Sequence, residues 1–205
     1  MCGREITSCH PTSVRWTRAT MRCYFCAVAM IALISLAPGT SAQPVSASAT
    51  INREYAIKAA FLHQFLNYVE WPAEAFADEK SPYVIGVYGD NPFGTVLDQA
   101  VKGKKVDGRS IEVRVVSSPS EVLKCQILFV PKSVPAAKRD GVIRAARGLH
   151  VLTVGESDDF SDRGGTANFF LEGNKVRFAF NPVAVADNNL VVSSKLMALA
   201  KIVTH

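Results

Sequence analysis

Between residues 53 and 69, apolar side chains recur at spacings of three and four: Ile57, Phe61, Phe65, then Tyr68 and Val69. That is the period of one helix face. Trp71-Pro72 closes the pattern, because proline pushes the residue before it out of the helical region. His63, Asn67 and Glu70 fall off the apolar face. Farther along the pattern tightens. Residues 83–89, 111–116, 126–130 and 151–154 are short runs rich in β-branched and aromatic side chains, each a predicted strand. Helical segments separate them. One is predicted from Pro92 to about residue 101 with Asp90 or Asn91 as N-cap, a short one over 119–123, and one over 134–147. Strands alternating with helices predict a largely parallel sheet covered on both faces. After Gly155 the alternation stops. An acidic loop runs to Gly164-Gly165, and two apolar runs, 166–171 and 175–180, flank Glu172-Gly173-Asn174, a hairpin signal. The chain closes on a predicted helix over 195–203, capped by Ser193, with Leu196, Leu199, Ala200 and Val203 on its apolar face. The predicted fold class is therefore α/β: a three-layer domain with a largely parallel sheet, helices on both faces and a C-terminal antiparallel hairpin at one edge.

The N-terminus stands outside this pattern. Arg15, Arg18 and Arg22 precede an apolar run over 24–37, and Thr40-Ser41-Ala42 supplies small residues where a signal peptidase cuts. A secretory signal peptide over 1–42 is expected, and a membrane span is not, because the run stops at Pro38-Gly39, short of the roughly 20 apolar residues a span needs. Met21-Arg22 with the same run would form a complete signal by itself, which makes Met21 a second candidate start. Residues 43–52, rich in Ala, Ser and Thr, read as a flexible lead, and 53–205 as a single domain. A cut after Ala42 removes Cys2, Cys9, Cys23 and Cys26 and leaves Cys125 alone, so no internal disulfide is expected. It also leaves 19 basic against 17 acidic residues, about +2, too little for a nucleic-acid footprint. Lys102, Lys104, Lys105 and Arg109 cluster around Gly103 and Gly108, as a solvated turn would.

Candidate chemistry is sparse. The glycine-rich turn after the first predicted strand, with Gly89, Asp90, Asn91 and Gly94, sits where parallel sheets bind ligands, at a strand's carboxyl end, and is a possible small-molecule or anion site. It is not a P-loop, since Thr95 stands where lysine is required. His63, His150 and His205 lack ligand partners at useful spacing, so no metal site is expected. Glu156, Asp158, Asp159 and Asp162 crowd one loop but miss the calcium-loop pattern. Ser193-Ser194-Lys195 lacks the spacing of a lysine-activated serine, and Cys125 reads as a buried small hydrophobe. No cofactor is expected, and a secreted hydrolase is the weakest reading.

Taken together, several separated motifs resemble the YfiR family of periplasmic regulatory proteins. They are Lys58-Ala59-Ala60-Phe61-Leu62, Val69-Glu70-Trp71-Pro72, residues 151–156, Phe160, Gly164-Gly165, Arg177-Phe178, Asn181 and Ser193-Ser194-Lys195-Leu196. The resemblance implies a secreted, non-catalytic α/β protein that holds an inner-membrane diguanylate cyclase inactive through the periplasmic domain of the cyclase, thereby limiting cyclic di-GMP and biofilm growth. It implies an outer-membrane lipoprotein as counter-partner, and a homodimer. It also places partner contacts around the glycine pair and hairpin, which makes Phe160, Glu172 and Phe178 the candidate partner-binding residues; core packing under its loop is the other reading of Phe160. One departure is visible. Where family members carry a disulfide across this loop, Val154 and Ser161 stand here, and Cys125 resembles half of a second pair whose partner is missing. A periplasmic small-molecule sensor is the alternative function.

Overall fold

The computed structural model describes residues 47–203; the predicted signal peptide and four of the five cysteines lie outside the described residues. The chain opens with α1 (Ala47–Tyr68), followed by β1 (Val69–Glu70) and a single 3-10 turn at Ala73–Ala75. Next come β2 (Tyr83–Tyr88), α2 (Val96–Val101), β3 (Lys105–Val106), β4 (Arg109–Val116), α3 (Pro119–Val122), β5 (Ile127–Val130), α4 (Ala136–Ala146) and β6 (Leu152–Gly155). The C-terminal part holds β7 (Ala167–Glu172), β8 (Lys175–Phe180), α5 (Pro182–Asp187), β9 (Val191–Val192), α6 (Ser194–Met197) and β10 (Lys201–Ile202).

Eight strands form one sheet in the order β10-β8-β7-β6-β5-β2-β4-β3. β4, β2, β5, β6 and β7 are mutually parallel, and β8 returns antiparallel to β7 with Glu172 opposite Lys175. The expected α/β architecture and antiparallel hairpin are therefore present, with β10 rather than the hairpin at that edge. Side chains alternate across the sheet as a period of two requires. Ile85, Val87, Ile127, Phe129, Leu152 and Val154 face one core with α1 and α2, whereas Val84, Leu128 and Val130 face another with Val122, Val142, Ile143 and Ala146 of α3 and α4. The first core is aromatic. Phe65 of α1 lies 5.8 Å from Phe169, 5.3 Å from Phe178 and 5.5 Å from Phe180, which fixes the helix across the hairpin. Gly86 makes room in the second core, since a Cβ there would meet Cys125 Sγ at 2.6 Å.

Several boundaries differ from the sequence reading, each for a local reason. α1 begins at Ala47, so the expected flexible lead is in part helical; Ala, Ser and Thr at this helix start tolerate helix once the following turns are anchored. The helix expected from Pro92 starts only at Val96, because Asn91 Oδ1 accepts from Phe93 N–H at 2.9 Å and holds a turn instead. β3 was not anticipated, although Asp107-Gly108 has positive φ at both positions, the two-residue hairpin signature. The final helix is one turn long. Leu199 is exposed rather than buried, and the chain extends into β10, which pairs parallel to β8.

Candidate functional site

β2 is followed in the chain by β4 on one side and then by β5 on the other. Their carboxyl ends diverge there, forming the crevice in which open parallel sheets bind ligands. A cleft of about 500 Å³ opens at this edge. Pro92 after β2, Pro131 to Ser133 after β5, and Glu156 and Asp158 after β6 form its floor, while Tyr55 and Lys58 of α1 and Phe170 of β7 form its walls. α1 is held over the crevice by aromatic contacts: Tyr55 meets Phe93 edge-on at 5.2 Å, and Phe93 meets Phe129 at 4.8 Å.

At the cleft's base lies an ion pair between Lys58 Nζ and Glu156, with side chains only 5% and 4% exposed. Burying two charges is costly unless the remaining lone pairs and protons are satisfied. Here they are engaged. Glu156 also accepts from Tyr55 OH at 3.1 Å and from the Lys132 backbone N–H at 2.9 Å, and Lys58 is shared with Glu54 one helical turn earlier. Burial, reinforced by the Glu156 carboxylate, pushes the Tyr55 phenol well above its ordinary range, so it remains a neutral donor. The network ties α1 to the ends of β5 and β6. Chemically it is a latch: each ionisable group is bonded to another member, and none is a nucleophile beside a base.

The predicted ligand loop lies next to this cleft but folds on itself. Gly89 takes φ +75° and donates its N–H to Val116 C=O, Asn91 Nδ2 reaches Gly94 C=O, Asp90 is exposed, and Gly94 takes φ +54°. Of residues 89–94 only Pro92 lines the cleft.

The candidate partner residues separate. Phe160 is fully buried in the second core, its ring lying against Gly155 and Gly165, where an added Cβ would overlap it. Its burial favours the core-packing reading over the partner anchor: Gly155 and Gly165 leave the room this ring takes beneath the loop. Phe178 is likewise in the core, packed 5.1 Å from Phe61. Glu172 is exposed at the hairpin end, paired with Arg177 at 3.2 Å beside the exposed Leu171.

The acidic loop makes ion pairs instead of a cage. Asp159 meets Arg163 and, at 3.3 Å, Arg139, and Arg163 reaches Asp140 at 2.9 Å. The Arg163 hydrogen bond holds the Asp159 carboxyl below the usual carboxylate range. Among the described residues no three His, Cys, Asp or Glu side chains are placed to hold a metal ion. Cys125 is a free, buried thiol pushed up to about 11 by burial, and Val154 and Ser161 are both buried. Ser193 Oγ accepts from Leu196 N–H, a helix cap.

Sequence reasoning missed the latch. The usable signals were the Glu54–Lys58 spacing of four on a helix whose apolar face includes position 58, and an acidic residue directly after the mostly apolar run over 151–155. No helix among the described residues is long and apolar enough to cross a membrane. No curated protein matches the chain. The profile of the YfiR/HmsC-like family matches residues 55–201, from the latch tyrosine on α1 to the last edge strand, and the chain belongs to that family.

Proposed function

We propose that this protein is a non-catalytic periplasmic regulator that binds the periplasmic domain of an inner-membrane diguanylate cyclase and holds the enzyme inactive, lowering cyclic di-GMP and restraining biofilm formation. The observation that carries this reading is family membership over residues 55–201, which takes in the sheet, the cleft and the hairpin. The cleft chemistry supports it, since Lys58, Glu156 and Tyr55 bond to one another and hold elements together. We assign the partner contact to the exposed end of the β7–β8 hairpin, Leu171 and Glu172, with Phe178 packed beneath the hairpin against Phe61 and Phe65, while Phe160 lies in the other core under the 156–165 loop. Repression of this kind is a population shift: the regulator biases the cyclase only as far as it prefers the inactive state. An outer-membrane lipoprotein that competes for the same hairpin would relieve it. The test is cyclic di-GMP synthesis by cyclase-containing membranes with and without added protein. Synthesis falls with the wild type, and Leu171→Asp or Glu172→Arg, folded normally, restores it. Unchanged synthesis with saturating wild-type protein contradicts the reading.

A further inference from the structure

β4 carries an open edge. β3 covers only Arg109 and Ser110, so among the described residues positions 111–116 have β2 on one side and no strand on the other. The direction of the free backbone groups follows from one bond: Gly89 N–H donates to Val116 C=O, so the even-numbered residues of β4 direct their groups to β2. In a parallel ladder the intervening residues then point theirs away. The N–H and C=O of Ile111, Val113 and Val115 therefore line the open edge. Such an edge is a template for another strand unless charge, proline or a bulge blunts it.

The side chains along this edge are self-complementary. Residues 111–115 read Ile-Glu-Val-Arg-Val. Two copies paired antiparallel about a two-fold axis at Val113 would set Glu112 opposite Arg114 of the other copy, twice, and Ile111 opposite Val115, twice. The charged pairs fall at the non-hydrogen-bonded positions, where facing side chains come closest. Sliding the register by two residues in either direction sets Glu112 against Glu112 or Arg114 against Arg114. Opposite charge thus selects a single register. Both charges are accessible, with side chains 46% and 45% exposed, and they already approach each other within one chain at 2.6 Å. On the other face Val115 is 57% exposed although β-branched and apolar. Ile111 and Val113 line a groove of about 460 Å³ between β4 and α2, bordered by Thr95, Val101 and Lys102, into which Val115 of the opposing copy would project.

We infer that a second copy of this chain pairs along β4, joining two sheets into one across a two-fold axis at Val113. The interface is isologous, so one surface serves both partners. It lies at the opposite edge of the sheet from the β7–β8 hairpin, which leaves that end of each copy available. The pairing does not depend on the regulatory reading.

The test is sedimentation equilibrium of the full protein and its charge variants. The wild type is dimeric at about 10 µM. Glu112→Arg and Arg114→Glu each weaken the dimer about tenfold or more, because two attractive cross-strand pairs become repulsive. An equimolar mixture of the two variants restores a dimer containing one of each, since their edges are then opposite in sign. Val113→Pro removes an outward N–H that the monomer does not use and abolishes the dimer with the far-ultraviolet spectrum unchanged. A monomeric wild type overturns the inference. So does a dimer that both charge variants retain at wild-type strength, which would place the contact on another face or reserve β4 for a different protein.

Discussion

Replacing the buried ion pair singly and together tests whether the latch holds α1 over the sheet. Lys58→Met leaves the Glu156 carboxylate, 4% exposed, with two neutral donors and no counter-charge. Glu156→Leu leaves Lys58 with Glu54, which is 25% exposed, and strips the acceptor from both Tyr55 OH and the Lys132 N–H. Breaking a buried pair costs about 3–5 kcal/mol, and the orphaned donors are part of that cost. The partly exposed Glu54 and the open cleft place both variants near the lower end, about 3 kcal/mol each. For a domain of this size that corresponds to a fall in Tm of about 6–12 °C. The double variant replaces both charges with apolar groups of similar volume and should lose much less than the sum, leaving a coupling energy of about 2 kcal/mol or more. Urea denaturation followed by circular dichroism gives the cycle directly. Additive losses, or single losses below about 1 kcal/mol, would refute the idea that the pair is a desolvated structural unit.

Two further outcomes follow from the packing and electrostatics. Gly155→Ala forces the Phe160 ring out of its seat and should cost about 1–3 kcal/mol, while the same change in a Phe160→Ala background should cost clearly less; equal costs in both backgrounds would remove the stated role of that glycine. Burial, and secondarily the Lys104 charge, lowers the His63 pKa below its ordinary 6.5, so the unfolded chain binds the extra proton first. That stability is present above about 6.5 and is lost as pH falls towards the lower folded value; His63→Gln should flatten the decline in Tm between pH 8 and 5.5, and an unaltered slope would contradict the assignment.

The parts of this fold that were readable in the sequence are those in which one residue type answers one physical demand. Residues 83–88 and 127–130 could hardly be anything but buried strands, and Gly173 sits at φ +58° in the turn between two strands. Boundaries were less legible because tertiary contacts set them. Nothing local in Leu199 says that it will face solvent and that residues 201–202 will pair with β8. The latch was hidden for a similar reason. Lys58 and Glu156 are 98 positions apart, and only the topology that brings α1 over the end of β6 turns two ordinary charges into a buried pair. Phe160 illustrates the converse: an aromatic in an acidic loop reads equally as a partner anchor or as core packing until the two glycines that make room for it are seen beside its ring.

The most direct test of the central claim is binding of the purified protein to the periplasmic domain of a co-encoded inner-membrane diguanylate cyclase, measured by titration calorimetry. The account predicts a complex at micromolar or lower dissociation constant, weakened about thirtyfold (2 kcal/mol or so) by Leu171→Asp in a protein that melts like the wild type. No heat of binding for the wild type at tens of micromolar would contradict direct repression of that cyclase.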